Sequence, residues 1–302
     1  MTNDRFSLGS DTKFVGNDMS VKRYVLVNMI FVLWTITYPV FAQDDLAKQS
    51  QNPIGNIISL PFQNDTYFDV GPSEKITNVL SIKPVYPIQV GNFNLINRGI
   101  IPIIYQEGQS SKVVRLVDDN SDVGGLRLFP GTDSEFGLGN IQYQGYFSPA
   151  APGKVIWGVG PTIEIPTNTD SSLGSDTWSA GPGVVVLTTP GNWLVGMLAS
   201  NIWSFAKDGD EEDVNLFAFQ YFANYNLHDG WYLTSGPVIT ANWEADSGEE
   251  WTVPIGGGVG KLVRFGNQPV DFKAAYYNNV ESPRFGSDWS LQLQVKFLFP
   301  KK

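Results

Sequence analysis

The chain has 302 residues and a formal charge of -10, with charged residues at only 17 %, aromatics at 13 % and 31 glycines. The acidic balance argues against a nucleic-acid partner, whose phosphates call for a basic surface. Cysteine is absent, which removes every thiolate metal site, redox pair and cysteine nucleophile.

The first recognisable element lies near the N-terminus. Residues 24–42 read YVLVNMIFVLWTITYPVFA, preceded by Lys22 and Arg23 and followed by QDD. A basic pair, an apolar run and a small residue at the cut predict a secretory signal spanning 1–42, cleaved after Ala42. Asn28 and Pro39 interrupt the apolar run, whereas a permanent helical anchor needs about 20 apolar residues. Met19 heads a conventional signal, MSVKRYVLV, so translation is expected to start there, with residues 1–18 an over-extension. The leader carries four basic and three acidic residues; of the 20 and 30 in the whole chain this leaves 16 and 27, a net of about -11. Residues 43–53 are expected to form a short lead-in, helical or not, on the periplasmic side or in a lumen.

From residue 54 to 302 a single domain is expected. It shows no amphipathic helical pattern of useful length; segments of about ten residues alternate with period two, the signature of strands. Residues 57–68 supply one strand, and about eleven more follow from Ile76. Short turns fall at Gly91-Asn92, Pro149–Gly153, Pro190–Asn192, Leu227–Gly230 and Gly266–Gln268. Between them lie longer polar loops at 106–135, 167–176, 207–213, 244–250 and 279–288, several of them acidic. Tight turns on one side and long loops on the other predict an all-β fold: a transmembrane antiparallel up-and-down β-barrel of about twelve strands, short turns periplasmic and loops external. The stretch 112–129 reads as an external hairpin or a segment folded into the mouth, and the role of 106–135 is open.

The alternation also sorts the faces. In 193–205 the odd positions include Trp193, Val195, Met197, Trp203 and Phe205. The two tryptophans are ten residues apart, which at about 3.3 Å rise and about 40° tilt is roughly 25 Å, the height of an apolar belt with aromatic girdles. Tyr225, Trp231, Trp243, Trp289 and Phe299 extend the same interface girdle. The last strand sets Trp289, Leu291, Leu293, Val295, Phe297 and Phe299 against Ser290, Gln292, Gln294 and Lys296. A soluble barrel would turn the apolar face inward, and its outer face would then need more charge than these polar residues provide. The lipid-facing assignment leaves a lumen lined by Lys83, Arg98, Gln142, Gln144, Glu164, Gln220, Asn224, Asp271, Lys273, Gln292, Gln294 and Lys296. Such a lining suits either a hydrated path or a polar network that plugs the barrel. Glycines and prolines inside strands, GVGP at 158–161, SGP at 235–237 and GGGVG at 256–260, either shape the curvature of closure or let a solute come close.

Catalytic signatures are missing. GxSxG does not occur, and the single histidine, His228, sits in a turn beside Asp229 and Gly230, where a solvated side chain is the ordinary reading. DGDEED at 208–213 lacks the spaced ligands of a calcium loop, and GGGVG fails the dinucleotide pattern. No catalytic residue, metal or cofactor is expected.

Four stretches, NPIGNIISLPFQND (52–65), IWGVGPTIEIPT (156–167), NLHDGWYLTSGPVITANWEA (226–245) and WTVPIGGGVGK (251–261), resemble a bacterial outer-membrane family. That family is related to the barrel protein of the meta-pathway for phenol degradation; many members are labelled only as transporters, and some carry the name neuromedin U. The resemblance covers roughly 46–300. It implies an outer-membrane barrel concerned with uptake of small, including aromatic, compounds, and it transfers no binding residue. The expectation is therefore a channel or transporter in the bacterial outer membrane for passive or weakly selective passage of small hydrophobic or aromatic molecules. Its partners would be outer-membrane lipid, an unidentified solute and, since the last strand closes on aromatic Phe299, the outer-membrane assembly machinery. The alternative is a plugged structural or surface-binding barrel that presents its acidic outer loops.

Overall fold

The computed structural model describes residues 40–115, 126–207 and 212–300. The expected export signal, with its start at Met19, lies almost wholly outside these residues, as does part of the acidic loop 207–213.

The described chain opens with helix α1 (Val40–Gln51) and continues as β1 (Ile58–Val70), β2 (Lys75–Ile82), β3 (Val85–Val90), β4 (Phe93–Gln106), β5 (Lys112–Arg115), β6 (Leu126–Phe129), β7 (Glu135–Leu138), β8 (Ile141–Pro149) and β9 (Val155–Ile165). Then come β10 (Thr177–Thr188), β11 (Trp193–Lys207), β12 (Asn215–Asn226), β13 (Trp231–Ser235), β14 (Val238–Asn242), β15 (Trp251–Phe265), β16 (Gln268–Glu281) and β17 (Trp289–Phe299). All strands but β5 and β6 belong to one antiparallel sheet. Three staves are interrupted: β2 with β3, β7 with β8, and β13 with β14. Counted as staves, the sheet has twelve, and it closes where β1 pairs β17, from Ile58 opposite Phe299 to Phe68 opposite Trp289. Closure leaves no free edge, the condition for a sheet to sit in hydrocarbon.

The connections separate the two ends. One end carries only short links, at 91–92, 150–154, 189–192, 227–230 and 266–267. The other carries the longer loops, with one exception: β1 and β2 join through residues 71–74 alone. Asp69, Gly71 and Glu74 adopt positive φ there, and the Nε2 of Gln109 from the next loop donates to the Val70 carbonyl at 3.2 Å. Among the described residues, strands β5 and β6 pair only with each other, so this part of 112–129 is a hairpin outside the barrel sheet. At its base Phe129 meets Phe285 of the β16–β17 loop edge-on at 4.9 Å.

Burial is inverted relative to a soluble protein. On β17, Leu293 is 50 % exposed while Gln294 is 9 % exposed; on β11, Trp193 is 45 % exposed while Leu194 is fully buried. Period-two alternation therefore puts the large apolar residues on the outer surface and the amides inside. Among the described residues no helix is long and apolar enough to cross a membrane.

The interior is not uniformly polar. Ile54, Ile96, Tyr146, Val185, Leu187, Leu194, Leu198 and Phe222 form one buried cluster against the β4 and β8–β12 wall. Leu46, Ala47, Ile57, Leu262 and Leu298 form a second. Both contain residues of the N-terminal segment, so α1 and the chain after it lie within the barrel at the short-turn end. Polar contacts hold them: Lys48 Nζ donates to the Gly191 carbonyl at 2.7 Å, and Gln51 Nε2 to Asn226 Oδ1 at 2.8 Å.

The glycine-rich run of β15 has a steric cause. A Cβ on Gly258 would lie 1.9 Å from the Ala274 carbonyl oxygen of β16, and one on Gly260 would lie 2.1 Å from the Tyr232 ring. The bare backbone lets β15 coil close to β16 and leaves room for Tyr232.

Candidate lumen site

A cavity of about 580 Å³ occupies the barrel interior. Ser50, Gln51, Asn52, Pro53, Gly55 and Ile57 of the N-terminal segment line its short-turn end. It rises along the strands as far as Tyr67 on β1, Asn279 on β16 and Ser290 on β17, close to the loop end. Of the twelve residues read as lumen-facing, Lys83, Arg98, Gln142, Gln144, Gln220, Asn224, Asp271, Lys273, Gln292, Gln294 and Lys296 line it. Glu164 does not: it stands opposite Gln142 and Ser179 on β9, outside this cavity, within 3.4 Å of Asn140 Nδ2.

The two sides of the cavity differ in chemistry. Staves β4, β2/β3, β1, β17 and β16 are neighbours and carry the charge: Arg98, Lys83, Asp65, Lys296, Asp271 and Lys273. The opposite staves, β11 to β14, contribute Leu198, Ser200, Ala218, Gln220, Phe222 and Val238. The two carboxylates are committed. Asp65 accepts from Gln292 Nε2 and Gln63 Nε2, both at 2.7 Å. Asp271 is fully buried, accepts from the Tyr232 hydroxyl at 2.9 Å and lies 3.6 Å from Lys296 Nζ. Lys296 in turn donates to the Ser50 carbonyl at 2.8 Å, tying the barrel wall to the N-terminal segment.

The wall has one weak place. The β13–β15 ladder covers Trp231–Thr234 against Gly258–Lys261, and the β14–β15 ladder covers only Thr240 and Ala241 against Thr252 and Trp251. Between these two ladders residues 235–239 and 253–257 make no ladder pairs with each other, although 253–257 stay paired with β16. Pro237 and Pro254 fall in this slot, where their missing donors cost no ladder bond. The Ser235 hydroxyl bridges it by donating to the Gly256 carbonyl at 2.6 Å. Gly236, Pro237, Val238 and Pro254 also line the cavity, so the slot adjoins the lumen. This stave is thus broken into β13 and β14, yet one parity runs through both: Tyr232, Thr234, Gly236, Val238 and Thr240 all line the cavity.

The aromatic residues form two rings. Trp193, Tyr225, Trp231 and Phe299 lie at the short-turn end, and Trp203, Trp243 and Trp289 at the loop end. Five are exposed; Tyr225 and Trp289 are half-buried by neighbouring rings, Trp193 at 4.9 Å from Tyr225 and Phe68 stacked on Trp289 at 3.8 Å. Trp251, absent from the expected girdle, joins the loop-end ring edge-on to Trp243 at 5.4 Å. Lys261 Nζ sits 4.5 Å over the Trp231 ring. The Ser172 backbone N–H and hydroxyl lower the Asp170 pKa, and the Lys207 ammonium lowers that of Asp213. Among the described residues no group of three or more His, Asp or Glu side chains could hold a metal ion. His228 is exposed in its turn.

The family model described as "Putative MetA-pathway of phenol degradation" matches residues 73–295. The chain belongs to this family. A comparison with curated proteins finds no match. Among solved structures, the COG4313 outer membrane channel from Pseudomonas putida F1 is 16 % identical, with a TM-score of 0.58 over 82 % of this chain and 97 % of that one. The toluene transporter TodX of Pseudomonas putida (8 % identical, TM-score 0.39, 83 % of this chain and 92 % of that one) aligns more loosely. So does the CymD monoaromatic hydrocarbon channel (10 %, 0.42, 86 % and 91 %). The first of these likenesses establishes the fold, that of an outer-membrane channel.

Proposed function

We propose that the chain is a bacterial outer-membrane channel for small amphipathic or aromatic molecules, exported by cleavage of residues 1–42. The observation that carries this reading is the cavity of about 580 Å³, within the range that takes a small organic ligand, with an apolar wall at Leu198, Phe222 and Val238 facing a polar one. Such a lumen offers a ring a dry surface and an exocyclic polar group its hydrogen bonds. Membership of a family described by phenol degradation supports the solute class. Passage requires the floor made by Ser50–Ile57 to move, because that segment lies across the short-turn end of the cavity. Insertion would be the work of the outer-membrane assembly machinery, which the aromatic residue closing β17 suits.

The test is uptake of radiolabelled phenol and toluene by Gram-negative cells expressing the chain, against cells carrying an empty vector. Faster uptake is expected. Equal uptake, with the folded barrel present in the outer membrane, would overturn the reading.

The occupied floor also favours a second reading, a plugged barrel that binds a partner through its acidic outer loops. Deleting 207–213 and 244–250 would then abolish partner binding and leave permeability unchanged; on the channel reading the same deletions alter solute entry.

A further inference from the structure

The lumen charges do not balance. Four cationic side chains line the cavity, Lys83, Arg98, Lys273 and Lys296, against two carboxylates, Asp65 and Asp271. Both carboxylates already have partners, and the only cation among them is Lys296. Among the described residues no carboxylate lies within 4 Å of Lys83, Arg98 or Lys273. Among the described residues, buried Arg98 Nη1 has no hydrogen-bond partner. This excess of positive charge sits inside a chain whose formal charge is -10.

A buried cation without a counter-ion is costly, and the cost falls when an anion enters beside it. Low-dielectric walls around a narrow lumen also focus the field of such charges onto whatever occupies it. The cations stand on neighbouring staves. Lys273 is level with Gln294 and Gln63 across β16, β17 and β1; Lys83 follows β2, its backbone N–H donating to the Pro61 carbonyl; Arg98 is on β4 beside it. Across the cavity lie Leu198, Phe222 and Val238.

We propose that the lumen selects small apolar acids, with the carboxylate held by Lys83, Arg98 and Lys273 and the ring or chain lying on the Leu198–Phe222–Val238 wall. This deepens the channel reading and rests on it for the sense of transport, while the binding step stands by itself. A guanidinium suits a carboxylate, since its donors match the two oxygens in one plane. The neutral amide of the same skeleton keeps the apolar contact and loses the charge.

The probes are benzoate and its neutral counterpart benzamide, titrated by calorimetry into the purified full-length barrel in detergent. Benzoate is expected to bind at least tenfold more tightly. The double variant Lys83→Gln/Lys273→Gln should remove the preference, Lys83→Arg/Lys273→Arg should restore it, and Arg98→Gln alone should weaken benzoate but not benzamide. Equal affinities for the two probes, or a preference that survives the double glutamine variant, would overturn the proposal. Uptake assays separate this from the channel reading. A barrel that prefers benzoate yet takes up neither probe keeps the site and loses the channel. One that takes up both equally, with no preference in binding, keeps the channel and loses the site.

Discussion

Lys296 Nζ lies 3.6 Å from Asp271 Oδ2 and 2.8 Å from the Ser50 carbonyl oxygen, so one ammonium joins a buried carboxylate of the barrel to the segment that floors its lumen. Lys296→Met is expected to do two things at once. It frees the Ser50 carbonyl, and it strands the charge of Asp271, a cost of about 3–5 kcal/mol for a pair this deeply buried. Removing both charges in Lys296→Met/Asp271→Asn should recover most of that stability while leaving the floor untied. Thermal unfolding should therefore rank the single variant below the double one, and both should open to ions in planar bilayers more often than the parent. Closed, parent-like behaviour in the double variant would show that this contact does not hold the floor.

The lipid-facing assignment makes a prediction by position. Leu293 sits midway between Trp289 and Phe299 and is half exposed on the outer surface. Leu293→Arg places a charge near the bilayer midplane and should cost about 2–4 kcal/mol of barrel stability. Gln292→Arg, one residue away on the lumen face, should cost much less, because its side chain points into the polar cavity beside the carboxylate of Asp65. Urea unfolding in liposomes measures both. Equal losses would contradict the inside-out arrangement.

Most of the barrel was legible because its physics is local. On β17 the alternation of Leu291, Leu293 and Val295 with Gln292, Gln294 and Lys296 fixes both face and parity, and the turns at Gly91, Gly191 and Gly266 carry the positive φ that glycine permits. What was not legible depends on contacts distant in sequence. The segment 46–57 carries no sign that Leu46 will share a buried cluster with Leu298, or Ile54 one with Phe222; only barrel closure brings these parts of the chain together. The even positions of β11, Leu194 and Leu198, are as apolar as the odd ones, so period two could not announce an apolar patch inside. The SGP at 235–237 announced curvature or a close solute, but a slot needed Pro254 opposite, on a strand that pairing alone identifies.

The slot gives the last prediction, through two glycines that differ in what surrounds them. A Cβ on Gly236 would meet Phe222 Cβ and the Tyr221 carbonyl oxygen at 3.5 Å each, ordinary contact distances. One on Gly258 would lie 1.9 Å from the Ala274 carbonyl oxygen, a backbone atom that cannot turn away. Gly258→Ala should therefore force β15 from β16 and destabilise the barrel by roughly 1–3 kcal/mol, the usual penalty for overpacking. Gly236→Val should fold with near-parent stability and narrow the opening between β13 and β15. Amide exchange adds a check on the slot itself. The N–H groups of Val238 and Gly256, which face this gap and lack ladder partners across it, should exchange faster than those of Lys261 and Val263 in the intact β15–β16 ladder. Uniform protection along β15, or a stability loss at Gly236→Val as large as at Gly258→Ala, would show that the wall is continuous there.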